Sequence, residues 1–272
     1  MKKIFSLLAM VVVAMAANFA QASTEREVPT KNVPGPALVT VALPEGYDAA
    51  PDEHYPTVYL LNGHGGDQKS WPSVINVDSL ATAHGVIIIC PAGQNSWYFD
   101  SPVNKKMQME SYITKDLVPW VDANYRTIKK PEQRAITGLS MGGHGALWLA
   151  FRHPDLFLNA GSTSGGVDFT PWPKSWNLPD ALGPYAQNKR RWADHTVLSL
   201  VPAIPHGRYN IIFDCGTEDF FFKVNNRLHN ELQKRGIVHK YLTSPGNHSK
   251  AYWHRSIVPQ MKFFSEKFKE NK

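Results

Sequence analysis

Cysteine is nearly absent from this chain of 272 residues: only Cys90 and Cys215 occur, each at the end of an apolar, strand-like run. Their spacing fits no metal site, and strand-end cysteines commonly serve as small buried apolar side chains. Export would permit a Cys90–Cys215 bridge, so the sequence leaves their pairing open. Internal repeats, low-complexity tracts and any composition shift marking a second domain are also missing. The basic residues do not form a stripe; Lys129-Lys130 and Lys189-Arg190-Arg191 are scattered patches of solvated surface. Arginine-rich segments interleaved with aromatics are lacking, which argues against a nucleic-acid partner. The one long apolar run, Ile4 to Ala17, is short of the roughly 20 residues that span a bilayer. No stable membrane insertion is expected, and no cysteine follows closely enough for a lipid anchor.

That apolar run has its own meaning. Lys2 and Lys3 precede it, and Ala20-Gln-Ala22 supplies a small-x-small cleavage site. Together they form a secretory signal peptide over residues 1–22, predicting a mature chain from Ser23 that is exported to a periplasm or beyond. The formal net charge of +6 falls to +4 once Lys2 and Lys3 are removed. The remaining 23–272 suffice for one large α/β domain with a substantial core.

Apolar runs alternate with helical patterns along that domain. Leu38 to Leu43 alternates like a half-exposed antiparallel edge strand, whereas Tyr55 to Leu61 and Val86 to Cys90 are nearly continuous, as strands buried on both faces are. Helices are predicted over Trp71 to His84, ended by Gly85, and over Glu110 to Asn124. Further strands are predicted at Ala135, at Asn159, over Tyr209 to Phe213 and over Val238 to Leu242. Helices follow over Val224 to Arg235 and Tyr252 to Lys269. Residues 164–206, rich in proline and tryptophan, break the rhythm and read as an insertion over the sheet. Strand–helix repetition of this kind specifies helices packed on a mostly parallel sheet.

The chemistry centres on Gly138-Leu-Ser-Met-Gly142, a G-x-S-x-G sequence between a strand-like run and a helix start. A serine on a sharp strand-to-helix turn needs small neighbours and presents its Oγ above a helix N-terminus. Ser140 is the candidate nucleophile. A serine hydroxyl needs an imidazole to take its proton and a carboxylate to orient that imidazole. In a parallel sheet such groups gather beyond the carboxyl ends of the strands, which directs attention to Asp214-Cys-Gly-Thr-Glu-Asp219 and Thr243-Ser-Pro-Gly-Asn-His248. His248 is the candidate base; His254 is its rival, disfavoured by a place inside the last helix. His144, one turn past Ser140, is expected to pack below the elbow. Asp219 is the candidate orienter, with Glu218 and Asp214 as alternatives, Asp214 being expected to fix its turn. The backbone amides of Met141 and of His64, in the glycine-rich Asn62–Gly66 loop, are the candidate oxyanion donors. Trp97, Trp172 and Trp176 are candidates for binding substrate by stacking, or else simply cover the sheet.

These features together resemble the esterase D and feruloyl-esterase group of α/β-hydrolases, which includes S-formylglutathione hydrolases and mycolyltransferases. The resemblance is carried by Tyr59-Leu-Leu-Asn-Gly-His-Gly-Gly66, Gly93-Gln-Asn-Ser-Trp-Tyr98, Gly138-Leu-Ser-Met-Gly-Gly-His-Gly-Ala146, Asp214-Cys-Gly-Thr-Glu-Asp219 and Pro245-Gly-Asn-His248 with Tyr252-Trp253. It implies an α/β-hydrolase fold, a Ser140–His248–Asp219 triad, and oxyanion donors at His64 and Met141. No metal or organic cofactor is implied. One departure is Ser249-Lys-Ala251, where many members have an aromatic residue, and it alters the pocket wall. Export and the resemblance together point to a carboxylesterase acting on acetyl or feruloyl esters of plant poly- or oligosaccharides. The signal peptide conflicts with a cytosolic S-formylglutathione hydrolase. Transfer of the acyl group to a sugar uses the same triad, so sequence does not separate it from hydrolysis. A non-catalytic carbohydrate-binding protein would require a damaged triad. The acyl and alcohol moieties and the oligomeric state are not legible.

Overall fold

The computed structural model describes residues 22–271, so the expected signal peptide lies, apart from Ala22, outside the described residues. Strands β1 (Thr24–Glu27), β2 (Leu38–Ala42), β3 (Thr57–Leu61) and β4 (Ile87–Pro91) open the chain, with helix α1 (Val77–His84) between the last two. Helices α2 (Met109–Ser111) and α3 (Val118–Asn124) flank a π-helical stretch, Tyr112–Leu117. Then come β5 (Arg134–Gly138), α4 (Met141–Arg152) and β6 (Asn159–Thr163). Helices α5 (Leu178–Leu182), α6 (Tyr185–Asp194) and α7 (Val197–Leu200) occupy the insertion. The chain closes with β7 (Asn210–Gly216), α8 (Phe222–Lys234), β8 (Lys240–Ser244) and α9 (Lys250–Glu270).

The strands form one sheet in the order β1-β2-β4-β3-β5-β6-β7-β8. β2 pairs antiparallel with both β1 and β4, and all other neighbouring strands pair parallel. Every residue of β3, β4, β5 and β6 is buried, because helices cover both faces. Alternate side chains of β3 sort accordingly: Val58 and Leu60 join Ala81, Ile257 and Phe264 on the side of α1 and α9. Tyr59 and Leu61 join Val121, Leu147 and Leu228 on the side of α3, α4 and α8. This is the α/β-hydrolase fold.

Four local expectations change. β2 is not an edge, since polar β1, with no apolar alternation to announce it, pairs outside it. α1 begins at Val77 rather than Trp71, because Asn76 caps it by accepting from the Ser79 amide at 2.9 Å. Removing that cap by Asn76→Ala is expected to cost about 1 kcal/mol and lower the melting temperature by about 2–4 °C, measured by thermal unfolding. β7 runs on through Gly216, so Asp214 lies within a strand and not in a turn. β8 sits two residues later than Val238 to Leu242. Gly85 does end α1 in the left-handed region, with φ of 60°. Cys90 and Cys215 are both free and buried. They lie on β4 and β7, four positions apart in the sheet, hence about 19 Å apart across it and unable to bridge.

Candidate active site

Ser140 stands between β5 and α4 with φ of 58° and ψ of −116°, a strained conformation for a residue with a side chain. The strain is held from both sides: its amide donates to the Thr163 carbonyl at 3.0 Å, and its carbonyl accepts from Gly166. The flanking glycines are required by close approach. A Cβ on Gly142 would lie 2.3 Å from the Leu61 carbonyl oxygen, and one on Gly138 would lie 2.5 Å from Gly142. That is the physical content of the G-x-S-x-G pattern in this chain.

The structure brings Ser140, His248 and Asp219 together. His248 Nε2 lies 2.9 Å from Ser140 Oγ, and Nδ1 lies 2.8 Å from Asp219 Oδ2. The geometry fits a tautomer in which Ser140 donates to Nε2 and Nδ1–H donates to the carboxylate. Asp219 is fully buried at its side chain while His248 is 17% exposed, so the carboxylate is shielded and the imidazole faces the cleft. The other Asp219 oxygen accepts from the Phe221 amide at 2.8 Å. Phe220, Phe221 and Trp253 box the imidazole, with ring centroids 4.4, 5.6 and 5.1 Å away. The alternatives fall elsewhere: His254 and Glu218 are exposed.

Asp214 proves to be a buried network residue. Its carboxylate accepts from Thr163 Oγ1 and Gln260 Nε2, each at 2.6 Å, which ties β7 to β6 and α9. Burial pushes its carboxyl up to about 6, although hydrogen bonds from Thr163, Gln260, Tyr252 and Ser256 pull the other way. It does not fix a turn through its own backbone.

The Asn62–Gly66 loop runs against Ser140: a Cβ on Gly63 would sit 3.3 Å from Ser140 Cβ. Met141 opens α4, so its amide has no partner inside the helix. The residue that shapes the loop is Asn62. Its side chain accepts from the Gly93 amide and Tyr98 hydroxyl and donates to the Gly63 carbonyl. Asn95 adds a bond from the Gly65 amide at 2.7 Å. Asn62 and Asn95 were visible only as letters in two motifs; nothing in their spacing announces that one loop braces the other. The His64 ring contacts Asn177 at 3.2 Å, linking the loop to the insertion. His144 packs below the elbow, buried, with its two ring nitrogens at the Trp97 and His195 carbonyls. Burial draws its imidazole down to about 4.

A family model described as "Putative esterase" matches residues 31–264. The chain belongs to the esterase family. It is 25% identical over 226 residues to an acetyl esterase of Caldicellulosiruptor saccharolyticus, covering 79% of this chain and 85% of the relative. It is 26% identical over 265 residues to a diacylglycerol acyltransferase/mycolyltransferase of Mycolicibacterium smegmatis, covering 83% and 80%. A solved structure of a ferulic acid esterase superposes with a TM-score of 0.77 at 24% identity, covering 91% of this chain and 100% of that one. The last comparison bears on the fold alone.

In this esterase the cleft above Ser140 encloses about 420 Å³. Trp176 and Phe220 line one wall, their rings stacked 6.0 Å apart. The other two tryptophans are not at the surface of the cleft. Trp97 is 1% exposed and backs Trp176, donating its indole N–H to the Trp176 carbonyl. Trp172 packs on Trp176, Phe220 and Phe221 from behind. Sequence cannot rank three tryptophans for exposure, because that depends on which one the next layer covers. Trp192, also in the insertion, is wholly core.

Proposed function

We propose that this esterase is an exported serine carboxylesterase that hydrolyses acetyl or feruloyl esters of plant poly- or oligosaccharides. Ser140 attacks the ester carbonyl while His248 takes its proton, and Asp219 orients and stabilises the imidazolium. The tetrahedral oxyanion rests on the amides of His64 and Met141. His248 then protonates the leaving alcohol, and water releases the acyl group by the same steps in reverse. The observation that carries this reading is the hydrogen-bonded chain from Asp219 through His248 to Ser140, at 2.8 and 2.9 Å, opening on the cleft. Export rests on the sequence of residues 1–22; among the described residues, no helix is long and apolar enough to cross a membrane.

The acetyl esterase relative and the aromatic wall of Trp176 and Phe220 support the substrate class. The experiment is a panel of methyl ferulate, acetylated xylan and aryl acetates offered to purified protein. Turnover of ferulate or acetylated sugar is expected; action on aryl acetates alone would remove the plant-ester assignment. The mycolyltransferase relative favours a second reading, acyl transfer to a sugar hydroxyl. Product partition at high sugar acceptor decides it, since absence of acyl-sugar leaves hydrolysis.

A further inference from the structure

The cleft has an uneven charge, of which the proposed chemistry uses His248 and the start of α4 but not Lys250. Among the described residues no aspartate or glutamate lines it, while Lys250, His64 and His248 do. Asp219 lies buried behind His248. Asp67 and Glu218 are exposed nearby in the chain but do not line the cleft, and Asp67 accepts from the Lys69 amide. Asp180 is reached from His64 only through Asn177.

Two helices start here. α4 begins immediately after Ser140, and α9, 21 residues long, begins at Lys250. Neither has a side chain capping its N-terminus, so free amides and both positive dipole ends add to the same region. Lys250 itself is exposed, and among the described residues its Nζ bonds only the Ser73 hydroxyl, at 3.0 Å. Ser70, Ser73 and Lys250 thus form a polar, cationic wall, with the aromatic wall of Trp176 and Phe220 made by other segments.

We infer that Lys250 is a specificity-determining residue, and that the cleft selects esters bearing a carboxylate on the acyl or alcohol part. Resting on the esterase reading above, it names the substrate class of that same site. A carboxylate held by Lys250 replaces the neutral Ser73 partner with a charge-assisted hydrogen bond. A neutral ester of equal size gains no such contact. The overall positive charge of the protein adds long-range attraction for such substrates.

The test uses two matched pairs with purified protein. 4-Acetoxybenzoate against its methyl ester places the charge on the alcohol side. 4-Nitrophenyl hydrogen adipate against its methyl ester places it on the acyl side. The anionic member of one pair is expected to have a kcat/KM about fivefold to tenfold higher, the scale of one charged hydrogen bond at an exposed site. Which pair responds identifies the side. That ratio is expected to fall towards one in K250Q, to invert in K250E, and to shrink in about 1 M salt, where the screening length is about 3 Å. No preference in either pair, or a preference that survives K250Q, would overturn the inference while leaving the esterase reading intact. Absence of Ser140-dependent turnover on the neutral esters would sink both.

Discussion

Ser140→Ala is expected to lower kcat on an aryl acetate by about a million-fold, leaving only what oxyanion binding and substrate positioning supply. The proposed triad acts as a unit, so adding Asp219→Asn to that variant is expected to change the residual rate by less than about threefold. Asp219→Asn alone is expected to lower kcat by about ten-thousand-fold, for a reason visible in the bonding of the acid. One Asp219 oxygen accepts from the Phe221 amide and the other faces His248 Nδ1. An asparagine that keeps the Phe221 bond must present its NH₂ to Nδ1, which forces the proton onto Nε2. The imidazole then offers Ser140 a hydrogen instead of a lone pair. Steady-state assays on freshly purified variants, with covalent labelling by a fluorophosphonate, measure both effects. Retention of activity within tenfold by Ser140→Ala would remove the nucleophile assignment.

What made this site legible was local chemistry. The strained turn at Ser140 needs glycine at 138 and 142 because Leu61 and the turn itself pass within contact of them, so the demand is written into five adjacent letters. His248 was legible because a Pro-Gly-Asn turn follows the penultimate element. Asp219 was harder: β7 extends to Gly216, and only its length decides that Asp214 points into a network while Asp219 reaches the histidine. The π-helical stretch at Tyr112–Leu117 and the outer strand β1 left no periodic signal. The burial of Trp97 left no signal either, because motif membership says nothing about depth. In each case the deciding contact lies many residues away in the chain, where spacing carries no information.

Glu110 illustrates the same limit and leads to the second large effect. In the sequence it is only the first residue of the helix predicted over Glu110 to Asn124, yet it is buried, 7% exposed. One carboxylate oxygen takes Arg152 Nε at 2.8 Å and His153 Nε2 at 2.7 Å; the other takes Trp148 Nε1 at 2.9 Å. Trp148 and Arg152 are one turn apart at the end of α4, so Glu110 anchors the helix whose start carries Ser140. Burial alone would raise the Glu110 carboxyl, but the bonds from His153, Arg152 and Trp148 outweigh it and hold the group at about 2, below the ordinary carboxylate value of 4.5. With the folded value below the unfolded one, the stabilisation is complete above about 4.5 and is lost as pH falls through about 2. The gap corresponds to about 3 kcal/mol. Glu110→Gln is therefore expected to destabilise the fold by about 3 kcal/mol at pH 7, because an amide NH₂ must now face one of three donors. The penalty is expected to shrink steadily below a pH of about 4.5, where the native acid begins to lose its advantage. Asp214 has the opposite slope: with its folded value raised to about 6, its stability is complete below 3.8 and lost as pH rises through about 6. Urea unfolding of the native chain and Glu110→Gln across that acid range separates the two contributions. A penalty for Glu110→Gln that stays constant with pH would mean that the carboxylate charge does not hold α4 in place.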